Sequence, residues 1–201
     1  MLKITTLKHL FGKGFMGLGG FGSKDKRAFV LWTNILRRSY SKEFLKTKPT
    51  YKGVTVCKEW HNFQNFAKWF YDQEFSNTKD ESGRSYHLDK DILSCGSKVY
   101  SPETCCFVPQ DLNSLLLTRG KCRGDHPIGV QRISSGKFVS QIRKNGGKTV
   151  HLGTFSTPEE AFQAYKKAKE AYVKEVVERW KGRVDSKVYK ALLNYEVSIN
   201  D

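Results

Sequence analysis

The chain has 201 residues, with 35 Lys and Arg against 20 Asp and Glu, a formal net charge of +15 and a pI near 9.6. That length allows one large domain or two small ones with real cores, and 13% aromatic content argues against disorder. No apolar run approaches the length of a membrane span, and a chain this basic suits a polyanionic partner.

The charge is unevenly spread. Residues 1–60 hold 13 Lys and Arg and 3 Asp and Glu, residues 61–125 hold 8 and 9, and residues 126–201 hold 14 and 8. Two basic flanks enclose an acid-balanced centre. The five cysteines, Cys57, Cys95, Cys105, Cys106 and Cys122, lack C-x-x-C spacing, which favours free thiols in a reducing compartment over a zinc site.

Residues 1–26 read as a basic, glycine-rich arm. Lys3, Lys8 and Lys13 stand among apolar residues, and Gly12, Gly14, Gly17, Gly19, Gly20 and Gly22 follow. No Gly-Lys-Ser/Thr completes a phosphate-loop motif, and no arginine of the kind transit peptides favour precedes Arg27. The expectation is a flexible arm that touches phosphate. Next, the spacing predicts a helix over 27–40, with Phe29, Trp32, Ile35 and Leu36 as its apolar stripe and Arg37 and Arg38 left for phosphate. Lys48-Pro49 breaks it, Val54–Val56 reads as a short strand, and a second helix is expected over 59–75. Its Trp60, Phe63, Phe66, Ala67 and Phe70 recur at helical period, so they belong to a core rather than to base stacking.

Tyr86 to Leu93 alternates like a strand, Cys95–Lys98 reads as a turn, Val99–Ser101 as a returning strand, and Pro109–Leu117 as a short helix. This β-β-α order resembles the HNH nuclease fold. Such a fold implies a divalent metal, Mg or Mn, held by Asp89, Asp91 and Asn113, with a base that activates water. Two hairpin registers give that base as His87 or as Lys90, and Asn113 is the helix ligand in both. Ser97 stands where similar phage sequences commonly carry Asn.

The last third of the chain gives the clearest pattern. Gly129-Val130, Gly136-Lys137-Phe138 and His151-Leu152-Gly153-Thr154-Phe155 read as three strands, followed by a helix that starts at Thr157. Thr157 is placed as N-cap, Pro158 at N1 needs no N–H, and Glu160 at N3 can close a capping box. Ala161, Ala164, Tyr165, Ala168 and Tyr172 then form one stripe that can lie across the sheet. Gly182 interrupts this helix, and Ser186–Tyr195 reads as a closing helix over 181–201. In the middle strand Phe138, Ser140 and Ile142 point one way, and Val139, Gln141 and Arg143 the other.

Residues 129–168 resemble the APETALA-type (ethylene-response-factor) DNA-binding domain, which implies a sheet that enters the major groove. Gln141 and Arg143 are side-chain types that can bond adenine and guanine edges in pairs. The resemblance adds Gln131, Thr149 and His151 to the same surface. Arg132, Lys144 and Lys148 complete the expected nucleic-acid set with Arg37 and Arg38 from the first half. From residue 28 onward the chain also resembles phage-encoded HNH homing-type endonucleases that carry such a module, which implies action in the host cytoplasm.

The expected fold is α+β: a β-β-α metal (HNH-like) core with helical N-terminal support over 27–125, then a three-stranded antiparallel sheet packed on a long helix over 126–180. The expected function is metal-dependent DNA cleavage after recognition of double-stranded DNA. The alternative is a catalytically degenerate binder of DNA or structured RNA that modulates a host assembly.

Overall fold

In a computed structural model of the protein, the described residues are 9–22, 24–94, 96–116, 126–144 and 147–199. The chain divides into two compact units, residues 1–107 and 108–201. This division lies ahead of the expected boundary at 125/126, so the helix after Pro109 falls in the second unit. Residues 117–125 lie outside the described residues.

The first unit is built on two helices. Helix α1 (Lys26–Tyr40) buries Trp32, Ile35 and Leu36 of its expected stripe together with Ala28, whereas Phe29 is half-buried. It is followed by a short α2 (Lys42–Thr47), which Ser41 caps by accepting the Phe44 N–H, and by a turn of 3-10 helix at Pro49–Tyr51. Strand β1 is Thr55–Val56. Helix α3 spans Phe63–Asp72, shorter than the expected 59–75, because Asn62 caps it by accepting the Gln64 N–H and leaves Lys58–His61 as a separate 3-10 turn. Phe63, Phe66, Ala67 and Phe70 are buried. Trp32 lies 5.3 Å from Phe63 between ring centroids, and its indole N–H donates to the Trp60 carbonyl at 2.7 Å. The aromatics are therefore core, as their period implies.

The described part of the glycine-rich segment is packed on this unit rather than free. Phe15 bridges to Asn62, with the Phe15 N–H donating to His61 O and the Phe63 N–H to Phe15 O. The Gln64 amide donates to Met16 O and Phe21 O and accepts from the Phe21 N–H. The glycines permit this close approach: a β-carbon on Gly14 would stand 2.2 Å from Leu36, and one on Gly19 2.2 Å from Gln64.

The expected hairpin over 86–101 does not form. Strand β2 (His87–Asp89) pairs with β4 (Cys106–Val108), whereas β3 (Val99–Tyr100) pairs in parallel with β1. The cause is local. Asp89 Oδ1 accepts the Asp91 N–H at 2.7 Å and the Ile92 N–H at 2.9 Å, an Asx turn that takes the chain out of extended conformation.

In the second unit, α4 (Gln110–Leu115) precedes an antiparallel sheet of β5 (Val130–Arg132), β6 (Phe138–Arg143) and β7 (Thr149–Phe155), in that order. Helix α5 (Pro158–Arg179) packs on it, starting in the capping box of Thr157 and Glu160. Ala161, Phe162, Tyr165, Tyr172, Val173, Val176 and Val177 are buried along it. Helix α6 (Ser186–Leu193) closes the unit through buried Val188 and Leu192.

Candidate nucleic-acid interface

The outer sheet face follows from register. Ser140 and Ile142 are fully covered on the α5 side, so Val139, Gln141 and Arg143 stand on the opposite side. Gln141 pairs with His151 and Arg143 with Thr149, while Val139 pairs with Gln131 on one flank and Thr154 on the other. Gln131, Arg143, Thr149, His151 and Thr154 are exposed. Among the described residues, the side chains of Gln131, Gln141, Arg143, Thr149 and His151 make no hydrogen bond or ion pair. They form one polar surface whose donors and acceptors are not used by other described residues.

Thr154 is missed by simple alternation. Counting by twos from His151 puts Gly153 on the outer face. A bulge between Ser140 and Gln141 shifts the register, so that His151 and Thr154 share a face although three residues apart. Gly153 then faces Ser140.

Two of the expected residues lie elsewhere. Arg132 pairs with Phe138 and so belongs to the face opposite Gln131, exposed at the edge of the sheet. Lys144 folds against α5, with Nζ 4.9 Å from the centre of the Tyr172 ring and 3.8 Å from Glu175 Oε2. Lys148 is exposed in the turn that Gly147 allows with φ +84°.

In the first unit, Arg37 is exposed over the Phe44 ring at 5.2 Å. Arg38 is half-buried 5.7 Å from the Tyr51 ring, so it is not the free surface cation its position suggests. His87 is half-buried in a cleft against α1. Burial, and then the charges of Arg27, Arg84 and Arg38, hold its imidazole below the usual histidine range. Lys90 Nζ donates to Ser97 O at 2.7 Å and pairs with Asp91 Oδ1 at 2.5 Å. Burial lifts the Asp89 carboxyl above its ordinary range, against the two amides it accepts.

These groups fit a divalent ion poorly. Asp89 Oδ1 is committed to its turn and Asp91 to Lys90, and no three His, Cys, Asp or Glu side chains among the described residues could hold a metal. Asn113 lies on α4 in the second unit, half-buried. Cys57, Cys105 and Cys106 form no disulfide, and burial pushes Cys57 up to about 11 and Cys105 up to about 12.

The site is thus the polar outer face of a three-stranded antiparallel sheet backed by a single long helix. Residues 125–175 match the family model for the AP2 domain, and such a domain suggests DNA binding. No curated protein and no solved structure matches the chain. No helix among the described residues is long and apolar enough to cross a membrane.

Proposed function

We propose that the protein binds double-stranded DNA by laying the outer face of β5–β7 in the major groove, and that the first unit supports binding without cutting. The observation that carries the first part is the pairing of Gln141 with His151 and of Arg143 with Thr149 on one exposed face. A twisted antiparallel sheet of this width can follow a groove about 12 Å wide. The net charge of +15 supplies the phosphate attraction that holds it there.

The side-chain inventory of this face leans toward A·T pairs. Gln131 and Gln141 suit adenine, the methyl groups of Val139, Thr149 and Thr154 suit the thymine methyl, and Arg143 is the single guanidinium on it, suited to guanine. Selecting preferred duplexes from a random pool tests this reading, with a structured-RNA pool in parallel. Preference for the RNA pool would replace DNA as the partner.

What supports a non-cutting first unit over a metal-dependent homing-type endonuclease is the local use of Asp89 and Lys90, one in a turn and the other in a lysine–carbonyl bond. A supercoiled-plasmid assay with Mg, Mn or no metal decides between them. Cleavage that needs the metal, and that Asp89→Ala or Asn113→Ala abolishes, would establish the nuclease. His87→Ala against Lys90→Ala would then identify the base.

A further inference from the structure

We infer that the first unit carries a phosphate-binding cleft of its own, between α1 and the segment that leads into β2. The cleft has a volume of about 270 Å³ and is lined by Arg27, Leu31, Asn34, Ile35 and Arg38 from one face of α1 and by residues 85–88 opposite. That is below the roughly 300 Å³ at which pockets for drug-sized molecules begin, so it suits a small group.

Its polar lining is of one kind. Two guanidiniums, the Asn34 amide, the Ser85 hydroxyl and the His87 ring border it, and no carboxylate does. Arg27 is fixed in place, since its Nε donates to Ser76 O and one terminal nitrogen to Tyr86 O, both at 2.7 Å. A guanidinium has five N–H donors, so these two bonds leave three. Arg38 is steadied beside Tyr51 and Tyr100. Among the described residues, the side chains of Asn34, Ser85 and His87 have no hydrogen-bond partner. Two guanidiniums with N–H donors to spare, converging with three unbonded polar side chains on a cleft that no carboxylate lines, call for an external anion. A phosphate monoester or diester supplies several oxygens and the compensating charge.

The source is either the backbone phosphate of a nucleic-acid strand or the terminal phosphate of a nucleotide, and the same experiment separates them. Calorimetric titration of the full chain uses inorganic phosphate, a nucleoside monophosphate, and a short single strand with a 5′-phosphate or a 5′-hydroxyl. The expected result is one phosphate site that Arg38→Gln and Leu31→Trp weaken about tenfold or more. Asn34→Leu, which breaks no bond within the described protein, is the variant that stands if Arg38→Gln fails to fold. Equal binding of the two strands indicates a backbone phosphate, and a gain with the 5′-phosphate indicates a terminal one. Absence of phosphate binding, or binding that Leu31→Trp and Asn34→Leu leave intact, would overturn the cleft.

Discussion

The Tyr165 ring of α5 occupies the space where a side chain at position 129 would begin: a β-carbon on Gly129 would stand 2.0 Å from its Cδ2. Gly129 also has φ +77° and accepts the Gln141 N–H through its carbonyl, so one glycine joins the edge of β5, the helix behind it and the strand that carries the outer face. Gly129→Ala combines backbone strain with overpacking and should destabilise the second unit by about 2–5 kcal/mol. Gly136→Ala, at φ +84° with open space around it, is the comparison and should lose about 1–2 kcal/mol. Thermal melting of both variants reads the difference, and equal losses would mean that Tyr165 moves aside freely.

Base reading should reside on the outer face of β6. A paired contact to a base edge discriminates by about 1–3 kcal/mol, so Gln141→Ala and Arg143→Ala should each flatten preference at one or two base pairs. Lys148→Ala should lower affinity for every sequence alike and reduce the salt slope by about one unit. Retention of the wild-type motif by both Gln141→Ala and Arg143→Ala would remove the sheet as the reading surface.

Ser140 is wholly buried between sheet and helix, and its hydroxyl has no partner among the described residues. Leaving a buried hydroxyl unpaired costs about 1–3 kcal/mol. Ser140→Ala should therefore keep or raise the melting temperature, unlike most substitutions at a fully covered position. A clear loss of stability would reveal a hydrogen bond to that hydroxyl.

Gln64 holds the glycine-rich segment by three hydrogen bonds to Met16 and Phe21. Gln64→Ala should cost about 1–3 kcal/mol of the first unit's stability. It should also speed hydrogen exchange at the Phe21 amide before other amides of that unit. Unchanged exchange there would return the segment to the free arm that its composition suggests.

Glu170 accepts the Val197 N–H and pairs with Lys166, which in turn donates to Val197 O. Burial pushes this carboxyl up, but Lys166 and the Val197 amide outweigh it and hold it below its ordinary value. Its stabilising contribution is complete above the unfolded value of about 4.3 and is lost as pH falls through the lower folded value. For a pair this close to solvent it is at most about 1 kcal/mol. The protection of the Val197 amide, measured relative to its intrinsic exchange rate at each pH, should fall across that window in the wild type, and Glu170→Gln should remove the pH step.

Much of the second unit was legible in the chain because its signals are local. The capping box needs only Thr157, Pro158 and Glu160, and the middle strand's alternation correctly separated Ser140 and Ile142 from Gln141 and Arg143. Periodicity likewise identified the aromatic faces of α1 and α3, since one repeat decides which side is buried.

Tertiary structure alone decided which strands pair and which polar groups stay free. Nothing between residues 86 and 101 announces that β3 joins β1 rather than β2, because short strands carry little register information and the Asp89 turn competes with extension. The bulge that brings Thr154 beside His151 is a property of two strands together, not of either one. Arg38 and Lys144 look like solvated cations in a linear reading, yet each lies against an aromatic ring. Alternation and capping are written within a few neighbouring residues. Partner choice depends on residues far apart in sequence, whose meeting only the packed chain can determine.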